Sequence, residues 1–229
     1  MPSFRRERAA RAARPAVELL EDRTLPGLVA AYNFNEAGGT TVLDGTWHEG
    51  NGSPGTISGA TRTTQGKYGG ALSFDGIDDW VTIPDSLYFD LTTGMTVEAW
   101  VKPAAIDGWE TVLMKESGSG YGYGLYADNN GNDVGQTRRP AAWIVQSGNY
   151  FGAEGTSQLS TNTWTHLAAT YDGSTLRLYV NGTQASSVSR SGSIADNSSA
   201  SRHLNGMMHN QASNRRIGNS NMEVFARHV

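Results

Sequence analysis

The stretch TNTWTHLAATYDGSTLRLYVNGTQ, residues 161–184, decides the fold. Two apolar-rich runs flank Asp172-Gly173, and a second pair of the same kind, Asn181-Gly182, follows the second run. Asp-Gly and Asn-Gly accept positive φ at the central positions of a tight turn, and that turn matches the twist of the strands it joins. The spacing therefore predicts a meander of strand, turn, strand, turn, strand. The surrounding chain reads the same way. In LVAAYNF (28–34), Leu28, Ala30, Tyr32 and Phe34 alternate with the opposite set. In MTVEAWVKP (95–103), Met95, Val97, Ala99 and Val101 share one face, Thr96, Glu98, Trp100 and Lys102 share the other, and Pro103 ends the run. WETVLMK (109–115), YGYGLYA (121–127) and AAWIVQS (141–147) follow, separated by Gly, Asn and Ser. No helical period and no internal repeat appear after residue 27. Many short strands with regular turn signals predict an all-β, two-sheet antiparallel sandwich.

Composition agrees. The 229 residues include 28 Gly, and only 17% are charged, which disfavours long helices. The length suits one large β domain with a real core. Mean hydropathy is −0.45, and no stretch approaches the ~20 apolar residues of a membrane span. There is no Cys, so disulfides and thiolate metal sites are excluded. The net charge of −4 is unevenly placed: residues 1–23 hold six Arg against four acids, which leaves the rest of the chain acidic. An acidic body does not suit a phosphate backbone, so nucleic acid is not an expected partner.

Residues 1–26 read as a basic leader outside the fold. They lack the apolar core of about 7–15 residues that a secretory signal needs. LLEDRTL (19–25) resembles the short Leu-Glu-x-Arg leaders ahead of some large bacterial surface proteins; the alternative is a disordered basic tail.

LSFDGIDDWVTIP (72–84) brings Asp75, Asp78 and Asp79 together between two alternating runs, Leu72 and Phe74 before them, Val81 and Ile83 after. The spacing predicts a hairpin loop whose Asp side chains bond nearby backbone N–H groups; three acids in one loop could instead hold calcium, which takes oxygen ligands. YGGALSFDGIDDWVTIPDS, MTVEAWVKP and TWTHLAATYDGSTLRLYVNG, in this order, resemble a laminin-G-like domain of the concanavalin A-like lectin/glucanase superfamily. The resemblance implies a jelly roll of two antiparallel sheets with a ligand face on one of them. It implies that Asp75–Asp79 is a structural turn and that Trp100 and Trp164 pack between the sheets. Residues 27–229 are then one domain.

The same resemblance singles out VLDGTWHEGNGSPGTISGA (42–60), similar to a family loop that often helps hold a structural calcium. Asp44 and Asn51 would supply oxygens; an Asx turn at Asp44 is the alternative. Relatives close with a strand of the form Gly-x-Ile-Asp-Glu-Val-Arg-Ile-Tyr. Here RRIGNSNMEVFARHV (215–229) lacks that pattern and DNSSASRHLNGMMHNQASN (196–214) is unlike a strand, so the part from about residue 196 reads as divergent or truncated, with the closing strand missing.

Chemistry-bearing patterns are sparse. Retaining glucanases need two carboxylates about 5–5.5 Å apart. Members of this superfamily place them in a Glu-x-Asp-x-x-Glu strand, and no Glu here begins one. His48-Glu49 lacks the second His of a zinc-protease helix, and DNNGND (128–133) carries Asp133 and Arg139 where a calcium loop needs Gly and Glu. No catalytic residue is assigned. A sugar ring has an apolar face and a polar rim, and Trp47, Trp109, Tyr121 and Tyr150, near expected loops, are candidates to meet one; core packing is the alternative for each. The expected function is a non-catalytic recognition module for glycan or protein, at the bacterial surface or outside the cell. A hydrolase with an unfamiliar site, and a structural module or fragment of a larger adhesin, are the rivals.

Overall fold

A computed structural model describes residues 27–46, 52–117, 120–129, 138–195, 203–206 and 220–227. The leader, Trp47 and Asn51 lie outside the described residues. In chain order the strands are β1 (Leu28–Tyr32), β2 (Thr41–Val42), β3 (Gly55–Ser58), β4 (Thr61–Thr63), β5 (Ala71–Phe74) and β6 (Trp80–Pro84). After a 3-10 turn (Leu87–Phe89) come β7 (Met95–Pro103), β8 (Trp109–Ser117), β9 (Gly120–Asn129), β10 (Ala141–Gln146) and β11 (Asn149–Glu154). The series ends with β12 (Thr165–Tyr171), β13 (Thr175–Val180), β14 (Thr183–Ser189), β15 (His203–Gly206) and β16 (Ser220–Arg227).

One sheet has eight strands, ordered β14-β13-β12-β7-β16-β5-β4, with β1 also on β16. Two four-stranded sheets, β11-β10-β9-β8 and β15-β6-β3-β2, meet where β15 runs beside β8. A contiguous apolar core fills the space between these layers, with Tyr32, Phe34, Leu72, Phe74, Ile83, Leu125, Ile144, Leu167 and Tyr171 fully buried. Each such side chain contributes roughly 1.5–3 kcal/mol. The meander is as the turn chemistry requires. Asn181 and Gly182 take φ of 50° and 78°. At the other turn only Gly173 does (85°), because the loop has a third residue, Ser174, whose N–H and hydroxyl both donate to Asp172 Oδ1.

Three expectations are corrected. Residues 72–84 are not a hairpin: β5 pairs with β4 and β16, β6 with β3 and β15, so Asp75–Asp79 turns a corner between two sheets. The Asx turn itself is present. Ile77 N–H (2.8 Å) donates to Asp75 Oδ1, and Asp75 N–H donates to Asp79 Oδ2 (2.7 Å). Trp100 does not pack between the sheets. It alternates with the buried Val97, Ala99 and Val101, so it lies half-buried on the outer face of the large sheet, edge-on to Tyr68 (5.6 Å) and tilted on His166 (5.2 Å). Trp164, just before β12, is also only partly buried. Finally, Ser220–Arg227 forms a strand at the centre of the large sheet, paired along its length with β7 and, on its other side, with β5 and then β1. His203–Gly206 is likewise a strand, on β6. The run Met222, Val224, Ala226 keeps the period of two that a strand needs, although it lacks the family's closing motif.

Candidate binding face

In the sheet β11-β10-β9-β8, one face joins the core through Tyr123, Leu125, Ala127, Ala142, Ile144 and Ala153. The opposite face carries the candidate site. Simple alternation along β9 would put Tyr121 with Tyr123 and Leu125. A bulge prevents this: Lys115 pairs with Tyr123 but the next residue, Glu116, pairs with Tyr121, so β9 has one residue more than β8 there. Tyr121 is thereby turned to the side of Tyr126. The rings then form a chain. Trp109 stands edge-on to Tyr126 (5.6 Å between centroids), Tyr126 to Tyr121 (6.5 Å), and Tyr121 tilts on Tyr150 (5.2 Å). Three of the four aromatic residues singled out in the sequence are thus brought together. Trp109 and Tyr150, at the two ends, are about half exposed (45% and 51%).

Two members of this face have no sequence signal of their own. Tyr126 is buried and links the others. Trp143 in β10 is registered between Gly124 of β9 and Gly152 of β11. A Cβ on Gly152 would sit 2.7–2.8 Å from the Trp143 indole, and one on Gly124 2.9 Å from the Tyr126 ring. Both rings therefore lie down over glycine backbone, and any larger residue would lift them. The indole Nε1 of Trp143 is buried and has no hydrogen-bond partner among the described residues.

Charged groups rim the face. Arg139 pairs with Glu154 (3.0 Å), and Arg138 with the fully buried Asp128 (3.1 Å), whose Oδ1 also accepts from Arg139 N–H. Burial pushes the Tyr126 phenol up to about 12, and it raises Tyr121 as well, with the neighbouring Tyr126 adding to it. The phenols remain neutral hydrogen-bonding groups at any physiological pH.

Asp44 lies elsewhere, after β2. Its Oδ1 accepts from Ala31 N–H (3.0 Å), Thr46 N–H (2.9 Å) and Thr46 Oγ1 (2.8 Å); its Oδ2 accepts from Ser53 N–H (3.1 Å). A carboxylate has about four lone-pair sites, and calcium seeks six to eight oxygens. Four converging donors fit an Asx anchor better than a cation ligand. Burial raises the Tyr32 phenol beside it, with the Asp44 charge adding to this, and Tyr32 Oη donates to Ser53 O (2.6 Å). The carboxylates of Asp75, Asp78 and Asp79 lie within 4.8 Å of one another at the sheet corner, with Asp79 buried. Gly59 makes room for Asp79: a Cβ there would meet Asp79 Oδ1 at 1.8 Å.

A laminin G family model, described as concanavalin A-like lectin/glucanases superfamily, matches residues 75–214, more than half of the chain. A sequence comparison with curated proteins gives no match. Among solved structures, the binding domain of Paraclostridial Mosquitocidal Protein 1 is similar at a TM-score of 0.63 and 13% identity, covering 88% of this chain and 48% of that one. Domain 4 of AbnA, a GH43 extracellular arabinanase from Geobacillus stearothermophilus in complex with arabinotriose, is similar at 0.62 and 22% identity, covering 87% and 92%. The receptor-binding domain of botulinum neurotoxin mosaic serotype C/D follows at 0.57 and 14%, covering 88% and 47%. The chain thus spans about half the length of the mosquitocidal-protein and neurotoxin binding domains. At these identities the likeness is one of fold.

Proposed function

This chain belongs to the concanavalin A-like lectin/glucanases superfamily, and on that premise we propose that it is a non-catalytic recognition module that binds carbohydrate on the ring-lined face of β8–β11. The observation that carries the reading is the chain of rings from Trp109 through Tyr126 and Tyr121 to Tyr150, with Trp143 laid flat beside it over Gly152. Sugar rings place their C–H faces on such surfaces and their hydroxyls on a polar rim, which Arg139 and Glu154 supply. Supporting it, the AbnA domain was solved with arabinotriose. The Glu-x-Asp-x-x-Glu strand of the superfamily's retaining glucanases is missing from the sequence, which favours binding over hydrolysis. An extracellular or cell-surface setting goes with this reading, as AbnA is an extracellular enzyme.

The test is affinity electrophoresis and calorimetry against a polysaccharide panel that includes arabinan. Trp109→Ala and Tyr150→Ala should each weaken binding at least about tenfold, about 1.4 kcal/mol. Trp100→Ala, on the other sheet, should leave it unchanged. Retention by no polysaccharide would overturn the carbohydrate reading and leave a protein ligand or a spacer role; release of reducing sugar would replace it with an enzyme.

A further inference from the structure

At the edge of the sandwich, where β11 of one sheet meets β14 of the other, lies a cleft of about 370 Å³. We propose that this cleft is a second ligand site, separate from the aromatic face, that takes one negatively charged sugar residue: a hexuronate unit, with its carboxylate on Arg190. Strand geometry separates the two sites. Successive side chains of β11 point to opposite sides, so Tyr150 belongs to the ring-lined face while Asn149 and Phe151 line the cleft.

The charge of the cleft is set by one residue. Its lining holds Arg190 and no acid, in a chain whose net charge is −4. The Arg190 guanidinium lies over the Phe151 ring at 4.2 Å and makes no ion pair among the described residues. The ring contact fixes a planar fork of N–H donors without consuming them, which is the geometry that receives a carboxylate in two parallel bonds.

The floor is equally ordered. Gln146 is 9% exposed, and its Nε2 donates to Tyr171 Oη (2.8 Å) and to Gly192 O (2.9 Å). Because Gly192 O can only accept, these bonds fix the amide orientation, and Gln146 Oε1 accepts nothing among the described residues. It is an oriented acceptor waiting for a hydroxyl. The far wall, residues 190–195, is pinned by main-chain bonds from Arg190 N–H to Ser174 O, Gly192 N–H to Gly173 O, Ile194 N–H to Thr92 O and Ala195 N–H to Val145 O. That pinning fixes the backbone that carries Ser191 and Ser193, so less main-chain ordering is left to the ligand.

These groups select one chemistry. Hydroxyls and amides dominate the lining, which calls for a hydroxyl-rich ligand. One cation without an acid calls for a single negative charge; an amino acid would leave its ammonium facing no carboxylate. The cleft is open to solvent, and its volume of about 370 Å³ gives room for one sugar unit.

The experiment is amide-detected NMR titration of the full chain with methyl β-D-glucuronide, methyl β-D-glucoside and sodium acetate. The glucuronide should shift the Gln146 side-chain amide and the Ser191–Ser193 backbone amides, and bind at least about tenfold more tightly than the glucoside or acetate. Arg190→Ala should abolish that preference, and Ser191→Asp, which sets a carboxylate in the cleft, should do the same while keeping Arg190. Trp109→Ala and Tyr150→Ala should leave it intact, which distinguishes this site from the aromatic face. Equal binding of acetate would mean an adventitious anion only and would overturn the proposal. So would equal binding of the glucoside, absence of shifts at the cleft, or loss of the shifts in Tyr150→Ala.

Discussion

Asp44→Ala removes one side chain that joins three separate segments. Its four accepted bonds reach β1 at Ala31, its own turn at Thr46, and Ser53 ahead of β3. The two bonds to Ala31 and Ser53 tie separate segments and are part-buried, and a bond to a charged acceptor is worth about 1.5–3 kcal/mol. The two to Thr46 are local, and water replaces them in part, at about 0.5 kcal/mol each. The sum is a loss of about 4–7 kcal/mol, which at about 2–4 °C per kcal/mol for a chain of this size lowers Tm by roughly 8–28 °C. Asp44→Asn should lose about half as much: its carbonyl oxygen keeps the bonds from Ala31 and Thr46, but its amide nitrogen then faces the N–H of Ser53, donor against donor. The assay is urea unfolding, with the slope m unchanged between variants so that the midpoint reports stability. A loss under about 1 kcal/mol for Asp44→Ala, or equal losses for both variants, would refute the assignment of Asp44 as a structural anchor. The same melts decide the metal question raised by the sequence for Asp44 and Asn51. An anchor already saturated with donors predicts identical curves in calcium and in chelator. An ion seated there would raise stability by about 2.7 kcal/mol at a hundredfold excess over its Kd.

Three other outcomes are expected. Gly152→Ala puts a Cβ into the Trp143 indole, so it should change the intrinsic Trp fluorescence and weaken glycan binding more than it lowers Tm; unchanged binding would detach Trp143 from the site. Asp79 has its carboxyl held above the ordinary range, first by burial and then by the charges of Asp75 and Asp78, against an opposing bond from Asp75 N–H. A raised folded-state pKa means stability falls as pH rises from the unfolded-state pKa, about 3.9, to the folded one, so Asp79→Asn should gain on the wild type from pH 3 to pH 7. A stability difference that does not vary with pH would refute this. Lys115, buried in β8, lies between Asp85 and Asp90, with its Nζ 3.3 Å from Asp90 Oδ1. Lys115→Met removes the cation between two carboxylates and should cost about 3–5 kcal/mol in a thermal melt, and a loss below about 1 kcal/mol would refute it.

How much of this was readable in advance follows from the range over which each signal acts. The turns at Asp172-Gly173 and Asn181-Gly182, and the two faces of β7, are local, and the sequence states them directly. The stretch 72–84 carries the right turn chemistry, but which sheet each of its flanking strands joins is a long-range matter, and so the corner reads as a hairpin. Trp109, Tyr121 and Tyr150 are recognisable as aromatics near loops. Tyr126 and Trp143 are not: Tyr126 lies inside β9, away from any loop, and meets Tyr121 only because a bulge resets alternation ahead of it, and Trp143 depends on glycines in two neighbouring strands. Gly122, the extra residue at that bulge, is the one cue that could have flagged it, since glycine inside a strand often marks a bulge. Motif likeness puts Trp100 between the sheets, whereas its own alternation sets it opposite Met95, Val97, Ala99 and Val101, where the structure has it. β16 is the reverse case: it has a strand's alternation without the family's closing motif.

The place of β16 has a consequence for how the chain reaches its fold. Arg227 is the partner of Leu28, and Ser220 of both Phe74 and Pro103. The central strand of the largest sheet is thus made after all three of the strands it bridges, which leave the ribosome far earlier. Until it arrives, β5 and β7 each present an open row of backbone donors and acceptors, the condition under which nascent sheets pair with the wrong chain. Contacts of such long sequence separation also place folding toward the slow end, on the order of milliseconds to seconds. A nascent chain of this protein should therefore stay dependent on holding chaperones until β16 has been made, and a ribosome-stalled series would show protease resistance appearing in one step once residue 227 has cleared the exit tunnel.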